Sequence, residues 1–361
     1  MYYLHILSPF LSKKTIYKNL EIHYNKFMNI YKKILLLISI ASILLFSIFL
    51  FYSFENNSSS CKEDFFVIKK GDTLKTVSEN LKNEKFIKNS RVFYFLFYFN
   101  NEPKNIKAGT YKLNCSMSVF KIIDRVVKGD VVKEKITILE GWKINDIANY
   151  LDEKELFSKE EFFNVAGTSG LGHPSIDFSS EFEFLNYKPK NLSLEGFLFP
   201  DTYYINKNDS VEIIIKKMLS NFENKVWINI KNKESFYSNL ILSSLIEKEV
   251  RGMQDKQMIS NILFKRLENY IPLQVDATVI YANETENNDY VFDTSIDSPF
   301  NTYKYQGLPV GPICNPGLES IEAALNPIEN NYWYYLSAKD GTTIFSKNFE
   351  EHKSNKFLYL R

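Results

Sequence analysis

Asn239–Met253, NLILSSLIEKEVRGM, places a carboxylate where an apolar side chain is expected. Stepped at about 100° per residue from Ile241, the residues Leu242, Leu245, Ile246 and Met253 fall within roughly 140° and form one apolar helix face. Glu249 lands near the middle of that face, and Glu247 lands on the opposite side, where water would solvate it. An acid on an apolar stripe is costly unless it is paired, protonated or lining a cleft. A carboxyl with a raised pKa in a cleft is the usual form of a general acid. On the helical wheel alone, that role stands level with a buried acid satisfied by an Arg or a backbone group.

Downstream, Gln257–Asn269 predicts a second helix with Met258, Ile262, Phe264 and Leu267 apolar, and Pro272–Tyr281 leaves it at the proline. SPFNTY (Ser298–Tyr303) and GLPVGPICNPG (Gly307–Gly317) hold four of the chain's eleven prolines, which predicts a rigid, ordered loop of the kind that builds sites. Ser320–Leu325 reads as a short helix. Tyr332–Leu336 and Thr343–Phe345 read as a hairpin around Asp340-Gly341. Upstream, Ile136–Leu139 is an expected strand running into EGW (Glu140–Trp142). Helices are expected over Lys143–Leu151, Ser158–Val165 and Val211–Asn224. GTSGLGHP (Gly167–Pro174) fits neither GxGxxG nor GxSxG, so no phosphate cradle or serine nucleophile is read there.

Ile34–Tyr52 is a run of 19 residues without a charge, long enough at 1.5 Å per residue for a roughly 30 Å hydrocarbon core. Residues 1–54 carry six Lys and one Glu, a net of +5, and Lys32 and Lys33 directly precede the run. The positive-inside rule then puts the N-terminus in the cytoplasm and everything after Phe54 outside. The run lacks a small-x-small cleavage site, so a retained anchor is preferred to a cleaved signal peptide. Met28 opens a more compact version of the same anchor.

After the short linker NNSSS, strand Phe65–Ile68 leads into KKGDTLKTVSENL, in which Gly71 turns and Asp72 or Thr73 caps a helix presenting Leu74, Val77 and Leu81. Arg91–Phe99 is amphipathic and heavily aromatic, Ile106–Leu113 is a turn and strand, and Met117–Val127 is a helix stopped by Gly129. The strand–KxGDT–helix pattern resembles a LysM module, the glycan-binding unit of cell-wall proteins.

Over the 361 residues, 45% hydrophobic and 24% charged composition is that of a globular protein of about two domains. Beyond residue 54 the chain carries 38 basic and 42 acidic residues, so no basic face is implied and nucleic-acid binding is excluded. Cys61, Cys115 and Cys314 lie at no metal spacing, and unpaired thiols are expected in preference to a Cys61–Cys115 disulfide. Only His173 and His352 lie beyond residue 54, with no HExxH, so no metal and no cofactor are expected.

EGW at Glu140, LEGFLFPDTYY at Leu194, SLIEKE at Ser244, LFKRLENYIPLQVDATVIYA at Leu263, SPFNTY at Ser298, GLPVGPICNPG at Gly307 and the final FSKNFEEH occur in one order. With the anchor and the LysM-like unit, they resemble the YceG-like endolytic murein transglycosylase family, MltG, over residues 32–352. Leu139 stands where the family often has Pro, Val250 where Thr or Ser is common, and Val310 for the second Pro of GLPPGP. Residues 1–31 lie outside the resemblance. Taken with the charge and hydropathy pattern, it leads to the expectation of an α+β protein: a cytoplasmic segment 1–33, a transmembrane helix 34–54, a linker 55–64, a LysM-like domain 65–130 and a mixed α+β catalytic domain 131–361. It implies a single-pass protein of the bacterial inner membrane with its C-terminal domains outside. Its substrate would be peptidoglycan glycan strands, cut internally to 1,6-anhydro-N-acetylmuramic ends, with peptidoglycan polymerases as candidate partners.

The family's catalytic Glu falls on Glu249. Gln274, Asp276, Asn301 and Tyr303 lie in family motifs and are expected to bind substrate, with Tyr281 and Tyr303 suited to stacking on sugars. Loop-stapling hydrogen bonds and aromatic packing are the alternative for each. Glu140 and Glu195 precede glycines and are expected to fix turns. A hydrolytic muramidase using Asp276 as second carboxylate, and a non-catalytic wall-binding scaffold, are the competing functions.

Overall fold

In the computed structural model, residues 13–54, 63–100, 106–206, 209–287 and 291–360 are described, and the chain divides into two compact units, Met1–Val132 and Lys133–Arg361. The first unit opens with helix α1 (Lys13–Phe54), longer than the expected span. Within it, Ile22–Ser47 is long and apolar enough to cross a membrane, and its side chains are exposed. The linker 55–62 lies outside the described residues.

Strand β1 (Glu63–Ile68) alternates inward Phe66 and Ile68 with outward Phe65 and Val67, a period of two with one buried face. It pairs antiparallel with β2 (Gly109–Asn114), Phe66 opposite Tyr111. Helices α2 (Leu74–Asn83), α3 (Ser90–Asn100) and α4 (Val119–Lys128) complete the core around Leu81, Phe93, Phe97, Ile122 and Val126. Thr73 caps α2 by accepting from the Thr76 amide at 3.2 Å. Gly129 ends α4 in the left-handed conformation at φ 71°, open to glycine without a Cβ penalty. Cys115 is disulfide-bonded, against the expectation of unpaired thiols, and Cys314 is a buried free thiol. Cys61 falls outside the described residues.

The second unit contains β3 (Lys133–Thr137), α5 (Ile144–Glu153), α6 (Lys159–Ala166), β4 (Thr202–Asn206), α7 (Val211–Lys225), α8 (Phe236–Glu249), α9 (Met253–Glu268), α10 (Asp276–Asn287), α11 (Leu318–Leu325), β5 (Tyr334–Ser337), β6 (Thr343–Ser346) and α12 (Phe349–Tyr359). The sheets are antiparallel pairs: β3 with β4, and β5 with β6. Mixed helices and small sheets of this kind make an α+β protein.

Two hydrophobic cores share one helix. Phe236 and Leu240 of α8 pack with Phe197, Phe222 and Trp227 in the first core, while Leu242, Leu245 and Ile246 pack with Ile259, Leu263 and Val275 in the second. Every residue from Leu240 to Ile246 is buried. The expected one-sided stripe is therefore too narrow: over Leu240–Ile246, α8 is buried on every side because protein surrounds it. Its buried Ser243 and Ser244 satisfy their hydroxyls by donating to the carbonyls of Leu240 and Ile241 at 2.7 Å.

The helix also ends earlier than expected. Val250 is extended at φ −147°, ψ 163°, and Gly252 precedes a new helix, so Met253 belongs to α9. Glu249 is the last residue of α8.

Glu247 is not solvated, contrary to expectation. Its Oε2 accepts from the Ser320 hydroxyl at 2.5 Å and the Gly317 amide at 3.1 Å, and the buried Lys256 ammonium lies 3.6 Å away. Helix α11 packs over α8 and α9 on that side, leaving no water-facing stripe.

Candidate active site

The scaffold of the site is a buried polar knot that ties three sequence motifs together. Asn315 accepts at Oδ1 from the amides of Gly196 and Leu198 at 2.9 and 3.0 Å. Its Nδ2 donates to the Trp142 carbonyl at 3.0 Å and to Glu195 at 3.1 Å. Glu195 also accepts from the Ile144 amide, the Ser169 hydroxyl and the Tyr281 hydroxyl. The loop after EGW, the turn LEGF and the loop GLPVGPICNPG are thus held together by two side chains. Gly196 sits at φ 88°, and a Cβ there would meet Pro312 Cγ at 2.6 Å, so both the backbone and the space require glycine.

Glu249 lies in a cavity of about 720 Å³ lined by Arg266, Gln274, Asp276, Tyr303, Tyr335 and His352 among others. It is half-buried. Burial pushes its pKa up to about 7, the Asp276 charge adds to the rise, and the Tyr335 hydroxyl donates to it and pulls the other way. Its place at the C-terminus of α8, where the helix dipole is negative, also disfavours the carboxylate. The Ser337 hydroxyl donates to the Glu249 carbonyl at 3.4 Å, tying the hairpin to the helix end. Among the described residues no cation lies within 4.0 Å of the Glu249 carboxyl. That frees it to gain and lose a proton.

A raised pKa alone does not mark this residue. Burial also pushes Glu195 up to about 7, but Glu195 is 3% exposed and spends its oxygens on Ile144, Ser169, Asn315 and Tyr281. It is a sealed structural acid. Glu249 has the same perturbation with an opening onto a cavity, and that opening separates the two roles.

The other sequence-expected residues divide. Asp276, the first residue of α10, accepts from the Tyr303 hydroxyl, and both line the cavity. Gln274 lines it too, at φ 53°, a left-handed conformation rare for a side chain of this kind, and accepts from Arg266 Nη2 at 3.1 Å. Tyr281 and Asn301 are not among the lining residues. Tyr281 is buried with its hydroxyl accepting from the Gly170 amide at 2.8 Å, and its ring meets Phe300 edge-on. Asn301 is fully buried, donates to the carbonyls of Thr294 and Ile296, and accepts from the Tyr303 amide. The loop-stapling alternative describes both, and Asn301 thereby positions Tyr303.

Sequence reasoning passed over Arg266, Tyr334, Tyr335, His352 and Lys356, which complete the lining from α9, the closing hairpin and α12. The buried residues of α9 are Lys256, Ile259, Ser260, Ile262, Leu263 and Arg266, so two cations sit among its apolar positions, and of these Arg266 lines the cavity.

Residues 66–357 match the YceG-like family model. The endolytic murein transglycosylase of Bacillus subtilis strain 168 is 32% identical over 81% of this chain and 84% of its own length. That of Streptococcus pneumoniae serotype 2 is 29% identical over 80% of this chain, which spans 57% of that relative. A crystal structure of a yceG-like protein from Listeria monocytogenes, 30% identical, superposes with a TM-score of 0.50 over 82% of this chain and 99% of that one.

Proposed function

Because this chain belongs to the YceG-like family, we propose that it cleaves murein as an endolytic transglycosylase with Glu249 as its single acid and base. The observation that carries the assignment is an unpaired, half-buried carboxyl held near pKa 7 at the wall of a large cavity. In its protonated form Glu249 donates to the glycosidic oxygen between muramic acid and glucosamine, and the bond from that oxygen to the anomeric carbon breaks. The muramic 6-hydroxyl oxygen bonds to the same anomeric carbon, and its proton returns to the Glu249 carboxylate. Bonds and protons balance with no water consumed, and an anhydro ring closes the new end.

Asp276 keeps the acid protonated by charge repulsion, and the Tyr335 hydroxyl steadies the carboxylate once the proton has left. Substrate contact is assigned to Gln274, Asp276 and Tyr303, with Asn301 and Tyr281 bracing the loops behind them. The first unit, with the LysM-like pattern over residues 65–130, is read as a glycan-binding domain. Helix α1 is read as an inner-membrane anchor that keeps the enzyme beside peptidoglycan polymerases and the strands they release.

The second reading is a hydrolytic muramidase, favoured by the presence of Asp276 in the same cavity as Glu249. Uncross-linked glycan digested by the full-length protein, followed by mass analysis of the ends, decides between them. Anhydro-muramic ends made by the wild type, with cleavage reduced at least ~100-fold in Glu249→Gln, are the expected result. Reducing muramic ends would establish the hydrolase instead.

A further inference from the structure

Arg266 is a buried cation without an acid. Its side chain is 7% exposed, yet among the described residues no carboxylate lies within 4.0 Å of it. The comparison within the same unit is direct. Lys256, 3% exposed, has Glu247 at 3.6 Å, and the mostly buried Lys143 pairs with Glu284. Burying a charge without a partner is strongly unfavourable. The acids of the same cavity do not meet the need: Asp276 is engaged by Tyr303, and Glu249 lies against Tyr335.

The partners Arg266 does have are neutral. Nη2 donates to Gln274 Oε1, and the guanidinium lies 5.5 Å from the centre of the Tyr334 ring. A guanidinium carries five N–H donors. Among the described residues, the buried side-chain polar atoms left without a partner are Ser260 Oγ and His352 Nδ1, so no Arg266 nitrogen is sealed off unpaired. Gln274 takes one of those donors, and Arg266 lines both the Glu249 cavity and a smaller one beside Trp333 and Lys347. Gln274 accepts from the fork from a left-handed backbone position, and burial, with the charges of Lys356 and Arg266, lowers the pKa of the His352 imidazole that lines the same cavity.

We propose that Arg266 is the anchor of a carboxylate-binding subsite within the Glu249 cavity, through which the enzyme grips an acidic group of its substrate. The inference rests on the murein reading above. Murein offers this chemistry from two sources: the lactyl carboxylate of a peptide-free muramic residue, or a carboxylate of a stem peptide. A planar guanidinium fork binds either in bidentate fashion, which a lysine ammonium does not reproduce.

The test uses the full-length protein in detergent on four uncross-linked strands. Two are peptide-free, one intact and one with its lactyl carboxyls reduced to alcohols. Two are peptide-bearing, one intact and one with its stem carboxyls amidated. The expected result is a loss in wild-type kcat/KM of about 10- to 100-fold, carried mainly by KM, on whichever neutralised strand lacks the gripped group. Arg266→Gln should show that lower value on the intact strand and no further loss on the neutralised one, with Arg266→Lys between them. Equal wild-type rates on both members of each pair overturn the subsite, and this arm needs no variant to fold. So does an Arg266→Gln deficit of the same factor on all four strands, the mark of a merely structural arginine. A wild type that forms no anhydro ends on any strand overturns the murein reading and the subsite together, an outcome distinct from equal cleavage.

Discussion

The Glu249 carboxyl has two neighbours that act on it in opposite directions, and this makes its role open to measurement. The protonated form is the donor, so kcat/KM is fully present below the folded pKa and falls about tenfold per pH unit as pH rises through and beyond about 7. Asp276 raises that pKa by repulsion, so Asp276→Asn lets Glu249 ionise more easily and shifts the alkaline limb to lower pH. The Tyr335 hydroxyl stabilises the carboxylate, so Tyr335→Phe shifts the limb to higher pH. Carbon-detected titration of the Glu249 carboxyl should move with the limb in each variant. Shifts in the same direction for both would refute the assignment of Asp276 and Tyr335 as opposing influences. Glu195, with a similar pKa but no opening to the cavity, should leave no limb of its own in the rate profile.

At the scale of elements, the knot around Asn315 ties three motifs that are distant in sequence. Replacing Asn315 by Leu leaves the Gly196 and Leu198 amides buried without an acceptor, at about 1–3 kcal/mol each. Guanidinium denaturation of the purified protein should therefore show a destabilisation of about 2–5 kcal/mol. Little change would mean that water or a neighbouring group replaces the amide. The helices with strong stripes or caps, α2, α4 and α6, were legible because local chemistry decides them. Glu249 was legible for the same reason, as an acid among apolar neighbours. Glu247 was misread because the pattern of one helix does not say how many of its sides a fold will cover. The break after Glu249 was hidden because Val250 can extend a helix as readily as end one. Helix α12, FEEHKSNKFLY, buries only His352 and so carries almost no periodic signal, although Asn348 caps it by accepting from the Glu351 amide at 2.9 Å. Tyr335 and His352 reached the cavity through such elements, and tertiary packing alone put them there.

At the scale of the molecule, charge and length place the enzyme relative to its substrate. All six Lys and the one Glu of residues 1–54 precede the uncharged run Ile34–Tyr52, a net of +5, while the rest of the chain is net −4. That acidic remainder does not draw in an acidic polymer by its overall field, which gives the cations lining the cavity, Arg266 among them, the more weight in the proposed binding. The same charge asymmetry predicts orientation. If Lys32 and Lys33 are retained on the cytoplasmic side, residues from 63 onward should lie outside. A phosphatase that is active only outside the cytoplasm, fused after Arg361, should be active in intact cells. Changing Lys32 and Lys33 to Glu removes the two cations nearest the apolar run and should lower that activity severalfold at equal expression. A full-length fusion that is stable, membrane-bound and inactive would place the cavity in the cytoplasm, away from any cell wall, and the murein substrate would have to be abandoned.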